Sequence, residues 1–317
     1  MEKYSIGVDF GGTKILACIV NTETAEIVYE VKNKTKKQKG EEKILKVLEK
    51  TISELLEESK IKKSEIKSIG IGAAGQVDRE NGVLINACNL NCQNLNLREF
   101  VESKFGIKTY IGNDVEVAAL GELNFGAGIG YKNICCIFVG TGIGSSIIKD
   151  GKIHHGASGS AGEIGHIIVD TNGRNCACGG SGCLEAYASR SAIEARISGA
   201  IKKGRKSIIT DFTDLNSISS KHIKQALDAQ DEVVVSYVDE AMDYLSAGLA
   251  TVMNFYNPEL IILGGGLIQG VEEFYLGTIK RARARALPVA SEITKFKKAQ
   301  LGDYSGVIGA SILGWRS

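Results

Sequence analysis

The sequence predicts a mixed α/β protein in two lobes of related build, and three observations carry that expectation. Strand-like apolar runs alternate with amphipathic helical segments along most of the chain. A strand–glycine turn–strand unit at the start recurs from Ile134 onward, and a wholly apolar run, Leu260 to Leu263, leads into three consecutive glycines. At 317 residues and 44% hydrophobic, the chain is long enough for two medium-sized cores.

Residues 4–9 read as an apolar strand and 15–20 as its hairpin partner, with Asp9-Phe10-Gly11-Gly12-Thr13-Lys14 between them. The polar run 32–39 is expected as a surface loop or hairpin end. Ile44, Val47, Leu48, Ile52, Leu55 and Leu56 recur at helical spacing and predict a helix over 41–60. Short strands follow at 66–72 and 108–112, with a helix at 97–105 between them. A helix begins after Asn113-Asp114 and runs into the glycine-rich stretch 126–130, near which the grammar switches. The expected division is a small lobe over 1–120, with a C-terminal helix at 303–317 packing back on it, and a large lobe over 121–302. In the large lobe the reading is strand 134–139, turn Gly140-Thr141-Gly142-Ile143-Gly144, and strand 145–149. A long helix over 233–256 is stopped by Asn257-Pro258, and strand 260–263 runs into Gly264-Gly265-Gly266. A helix at 271–286, a link containing Pro288 and a closing helix at 305–315 complete the chain.

With 38 basic and 37 acidic residues the formal charge is +1, so no general field draws the chain to nucleic acid or anionic membrane. Lys280, Arg281, Arg283 and Arg285 are expected as a solvated helix face rather than a nucleic-acid contact. The opening MEKYSIGVDFGG has no signal-peptide pattern, and no stretch has the length and apolarity to span a bilayer. Eight cysteines without framework spacing fit a reducing compartment, and a cytoplasmic location is expected.

The turn 9–14 places glycines where backbone N–H groups converge on an anion, with Thr13 and Lys14 adding a hydroxyl and a cation. Alone it also suits a plain hairpin turn, and it lacks the spacing of a Walker A loop. The matching turn Gly140, Thr141, Gly142 supports a polyphosphate held from two lobes, with Asp9 supporting the accompanying metal. Asp114, between a strand and a helix, suits either an N-cap or a general base. His166, Cys176, Cys178 and Cys183 offer one imidazole and three thiolates, a closed set for a structural zinc, with Gly179, Gly180 and Gly182 giving the backbone freedom to gather them. A disulfide, inert thiols or an iron–sulfur cluster are the alternatives, the last usually needing four cysteines. Glu163, His166 and Glu185 bracket this knot and suit the reading of adjacent sugar hydroxyls, or, for the carboxylates, simple solvation.

Together DFGGTK at 9–14, GND at 112–114, GTGIG at 140–144, EIGH at 163–166, CACGGSGCLEAYAS at 176–189 and NPELIILGGG at 257–266 resemble the ROK family of bacterial sugar kinases and sugar-responsive repressors, and within it the ATP-dependent glucokinases. The resemblance covers nearly the whole chain. It implies the two-lobed actin-like ATPase (ribonuclease H-like) fold with an interlobe cleft. It implies ATP, with Mg2+, bound by Asp9, Gly11, Gly12, Thr13 and Lys14, by Gly140, Thr141 and Gly142, and by Gly264, Gly265 and Gly266. Asp114 would be the base, and Gly75, Asn89, Asn113, Glu163, His166 and Glu185 would hold the sugar, His166 also serving the zinc. The implied reaction is transfer of the γ-phosphoryl group of ATP to a hexose, chiefly glucose to glucose 6-phosphate, by a homodimer or higher homo-oligomer. Ala74 stands where these glucokinases usually carry proline, and Cys92 and Asn96 stand for a tryptophan and a second proline. These departures keep N-acetylmannosamine, fructose and allose in view. A regulator would need an N-terminal helix-turn-helix, for which a strand starting by Tyr4 leaves no room. An actin-like scaffold ATPase without a sugar is the remaining alternative.

Overall fold

The computed structural model describes residues 3–35, 40–87 and 92–316. The chain divides into two compact units, residues 1–130 with 300–317, and residues 131–299. The division falls after Gly130 rather than after residue 120, because helix Asp114–Phe125 packs on the C-terminal helix Ser305–Ser311 and stays with the first unit.

The first unit opens with strands β1 (Tyr4–Phe10), β2 (Lys14–Asn21), β3 (Ile27–Lys34) and β4 (Ile66–Ala73). It continues with β5 (Gln76–Asp78), β6 (Val83–Ala87), β7 (Cys92–Asn96) and β8 (Thr109–Asn113). The main sheet runs β3-β2-β1-β4-β8, and β5-β6-β7 form a smaller antiparallel sheet that sequence reading missed. Because β1, β4 and β8 are parallel, with Asp9 opposite Gly72 and Gly72 opposite Gly112, their carboxyl ends share one edge. That edge carries the turn after Asp9, the Ala74-Gly75 turn and the Asn113-Asp114 junction.

Lys32 and Lys34 belong to β3 and not to a loop: Ile27, Tyr29, Val31 and Asn33 point inward in alternation with exposed partners, so one face of an edge strand is half-buried. Residues 36–39 of that polar run lie outside the described residues. Helix Glu41–Ser59 buries Ile44, Leu48, Ile52 and Leu55, the stripe its periodicity predicted. The closing helix breaks at Ile312 into Ser305–Ser311 and Leu313–Arg316. Ser305–Ser311 lies so close to β1, β4 and helix Asp114–Phe125 that a Cβ at Gly7, Gly70 or Gly309 would collide with the backbone carbonyls of Val307, Ala310 or Val117. Glu122, fully buried, accepts from the N–H groups of Ala127, Gln300 and Leu301 and from the Ser305 hydroxyl. These bonds compensate a carboxylate that would otherwise be costly to bury.

The second unit is built on β9 (Ile134–Val139), β10 (Ile143–Lys149), β11 (Lys152–Ile153), β12 (Leu260–Gly264) and β13 (Lys295–Lys298), in the order β11-β10-β9-β12-β13. Ile143 and Gly144 are strand residues, so the second glycine turn is shorter than expected. Helices Arg190–Lys202, Ser220–Asp228, Glu232–Phe255 and Glu272–Arg285 enclose a core that includes Ile137, Leu245, Leu249, Leu263 and Phe274. Pro288 begins helix Pro288–Ile293 instead of lying in a link, its fixed φ and missing N–H suiting a first helical position. The basic run is tied down: Arg281 pairs with Asp239 and Asp243, Arg285 with Asp243, and Arg283 donates to the carbonyls of Ser291 and Thr294. Among the described residues no helix is long and apolar enough to cross a membrane.

Candidate active site and metal knot

In the first unit, Asn113 and not Asp114 caps the helix. Its extended backbone (φ −67°, ψ 147°) directs Oδ1 onto the N–H groups of Val115 at 2.9 Å and Glu116 at 3.3 Å. Its Nδ2 donates to the Gly75 carbonyl at 3.0 Å, so most of this amide joins the helix start to the 74–75 turn. At most one of its N–H bonds remains for a sugar. Asp114 is the first helical residue, half-buried, with Oδ1 accepting from Val115 N–H at 3.0 Å. At Gly75 a φ of 144° and the carbonyl of Asn86, which a Cβ would strike, restrict the position to glycine. Asn89 lies outside the described residues.

The turn after β1 is closed by Gly11 N–H donating to the Lys14 carbonyl at 3.2 Å, and Thr35 Oγ1 donates to the Gly12 carbonyl at 2.7 Å. Burial raises the Asp9 carboxyl above its ordinary range; Lys14 opposes the rise and Asp303 adds to it. A divalent cation there would favour the ionised form.

In the second unit β9 and β12 are parallel, so the 140–142 turn and Gly264-Gly265-Gly266 emerge at one sheet edge. Gly265 has φ 91°, and a Cβ there would collide with the Val139 carbonyl. Glu185 sits against this turn: its Oε2 accepts from Ile143 N–H at 2.8 Å, and a Cβ on residue 142 would strike the carboxylate. Its other oxygen lies 3.9 Å from Cys176 Sγ, so one side chain connects the second glycine turn to the cysteine knot. Sequence reading paired Glu185 with the sugar and missed this contact. The 163–166 segment is pinned to β10 by Ser145, whose hydroxyl donates to the Gly162 carbonyl and accepts from Ile164 N–H at 3.0 Å.

One donor atom from each of His166, Cys176, Cys178 and Cys183 lies within 4.8 Å of the others. The Cys176 Sγ to His166 Nδ1 distance is 3.8 Å and Cys178 Sγ to Cys183 Sγ is 3.7 Å. Sulfurs about 2.3 Å from a tetrahedral zinc stand about 3.8 Å apart, so the donor set fits that ion. Positive φ at Gly179 (93°) and Gly182 (77°) makes the reversal that gathers the sulfurs, and Ile168 and Asn175 bridge to Cys183 and Ser181 as a miniature ladder. Burial pushes the Cys183 thiol up to about 12 and raises Cys176, whereas the Gly180 backbone beside Cys178 lowers it. Three thiolates this close are therefore stable only beside a compensating cation. The knot is anchored by Tyr187, whose hydroxyl donates to Asp170 at 3.0 Å and accepts from Arg174 N–H at 2.8 Å, and by Arg174 donating to Glu240 at 2.6 Å.

Two α/β units, each with a strand–glycine turn–strand opening and loops gathered at the carboxyl ends of parallel strands, have the two-lobed actin-like ATPase fold. The chain belongs to the ROK family, whose model matches residues 5–316. It is 34% identical to glucokinase of Halalkalibacterium halodurans over 317 residues, covering 99% of this chain and 94% of that protein. A ROK family glucokinase from Streptomyces griseus, solved in complex with glucose and AMPPNP, superposes with a TM-score of 0.83 at 32% identity over 98% of each chain. The ROK hexokinase of Thermus thermophilus gives 0.81 at 27% identity, over 98% of this chain and 97% of that one.

Proposed function

We propose that the protein is an ATP-dependent hexokinase-type phosphotransferase that converts glucose to glucose 6-phosphate. The observation carrying this reading is the shared sheet edge of the first unit, where the Asp9–Lys14 turn, Gly75 and the Asn113-Asp114 junction meet a chemistry of phosphate and hydroxyl. Relatives named glucokinase, at 30–34% identity over nearly the whole chain, support it. Asp114 accepts the proton of the sugar hydroxyl as its oxygen bonds the γ-phosphorus and the bond to ADP breaks. Asp9, Gly11, Gly12, Thr13 and Lys14, with Gly140, Thr141, Gly142 and Gly264 to Gly266, bind the nucleotide. Asp9 would support the magnesium ion, whose charge would neutralise that of the phosphates. Gly75, Asn89, Asn113, Glu163, His166 and Glu185 form the sugar site. His166, Cys176, Cys178 and Cys183 hold a structural zinc that fixes the loop carrying Glu163 and Glu185. The enzyme works in the cytoplasm as a homo-oligomer.

The test is ADP release from Mg-ATP with glucose, N-acetylmannosamine, N-acetylglucosamine, fructose, mannose and allose. A dominant response to glucose is expected, and it should vanish in Asp114→Asn while nucleotide binding remains. A dominant response to another sugar would reassign the substrate, and sugar-independent hydrolysis as the main activity would remove the kinase reading.

A further inference from the structure

An ion pair joins the turn after β5 to the first turn of helix Asp114–Phe125. β5 and β6 are joined by a tight reversal at 79–82, closed by Gly82 N–H donating to the Asp78 carbonyl at 2.9 Å and by Asp78 Oδ1 accepting from Asn81 N–H at 3.0 Å. Gly82, at φ 74°, completes the turn. From this tip Arg79 reaches the first turn of helix Asp114–Phe125 and donates through both Nε, at 3.1 Å, and Nη2 to one carboxylate oxygen of Glu116. The pair is largely removed from water, with side-chain exposures of 25% for Arg79 and 13% for Glu116. It therefore escapes most of the screening that makes surface ion pairs nearly neutral.

The tip is itself held from behind. Arg98, at the start of helix Leu97–Phe105, donates to the carbonyls of Arg79 at 2.7 Å, Glu80 at 2.6 Å and Thr109 at 3.1 Å. Arg79 thus stands on a braced platform and pulls on the turn of helix that carries Asp114. The Asn113 amide makes a second tie to the start of the same helix, from the 74–75 turn through the Gly75 carbonyl. Two links, one from each end of β5, thus hold the residues on either side of Asp114.

We infer that Arg79 and Glu116 are positioning residues for phosphoryl transfer, their ion pair setting where the Asp114 carboxylate meets the sugar hydroxyl. The inference rests on Asp114 as the base. Neither side chain belongs to the nucleotide-binding turns, so loss of the pair acts on the chemical step and on sugar placement. A displacement of about 1 Å at the base costs on the order of 100-fold in rate.

The experiment compares Arg79→Gln, Glu116→Gln, the double Gln variant, the charge swap Arg79→Glu with Glu116→Arg, and Asp114→Asn, each as the full-length protein with its melting temperature recorded. Each Gln single variant is expected to lower kcat roughly 10- to 100-fold with KM for Mg-ATP within about twofold of the parent. The double variant should be no worse than the worse single, the mark of one shared interaction. The swap should recover a substantial part of kcat. Folded single variants with parental kcat, losses that multiply in the double, or a loss confined to KM for ATP would each overturn the inference. Turnover surviving in Asp114→Asn would instead remove the base assignment. An inactive Asp114→Asn beside a fully active Arg79→Gln would refute the positioning role alone.

Discussion

Asp9, proposed to serve the nucleotide, shows what such a carboxylate costs the fold. Half-buried at the end of β1, it holds its proton to higher pH than the ordinary 3.8 because the site removes it from water, and Lys14 only partly offsets this. Between the unfolded value and the raised folded value the native state binds more protons than the unfolded one, so stability falls as pH rises through that window. Above it the ionised side chain is a standing cost. Asp9→Asn is therefore expected to abolish transfer while melting at or above the parental temperature at pH 7, with the difference closing as the pH falls below about 4. Melting curves across that range check it, and a lower melting point at pH 7 would contradict it. The roles of single residues were unevenly legible. The four clustered metal-ligand candidates stand out because three cysteines and a histidine lie within a short loop, where spacing alone reports proximity. The contacts of Glu185 with Ile143 and of Arg79 with Glu116 join residues far apart in sequence, and no local pattern announces them.

At the scale of elements, periodicity located Glu41–Ser59, Leu97–Phe105 and Glu232–Phe255 well, because each buries one stripe or a whole surface. It passed over β5, β6 and β7, whose short strands have too few inward residues to show alternation. It misread the start of the polar run after residue 31, since lysines on the outward face of edge strand β3 resemble loop composition. The closing helix and its return to the first lobe were visible, but the elements it touches were not. Its sequence SGVIGAS is fitted to a contact in which backbones touch, and Gly309 lies directly against the Val117 carbonyl. Gly309→Ala gains helix propensity and still should destabilise the protein by about 2 kcal/mol or more, because neither backbone can withdraw. Urea unfolding measures this, and an unchanged midpoint would mean that the helix can shift outward at little cost.

At the scale of the molecule, both strand–glycine turn–strand openings were legible as a repeat, and the chain order of the motifs carried the family. The return of the last residues to the first unit was also expected, but the boundary near residue 130 was not, because only tertiary contact keeps helix Asp114–Phe125 with the closing helix. All four candidate metal donors lie in the second unit, where Arg174 ties their loop to helix Glu232–Phe255 through Glu240 and Tyr187 ties it to Asp170. Cys178→Ala is expected to lose bound zinc and to speed amide exchange in residues 164–188 and along that helix first, since metal affinity is spent as folding free energy. Exchange mass spectrometry with metal analysis tests both, and retained zinc would refute the ligand assignment.

The return of residues 300–317 to the first unit also orders events on the ribosome. The glycine-lined face of β1, β4 and helix Asp114–Phe125 is made early, but the segment that seals it, and the Gln300 and Leu301 amides that satisfy Glu122, emerge only after the entire second unit has been translated. The nascent chain thus carries a bare apolar face, and a Glu122 held by Ala127 alone among its eventual partners, until its last residues are made, which makes the first unit the part most dependent on holding factors and the last to become native.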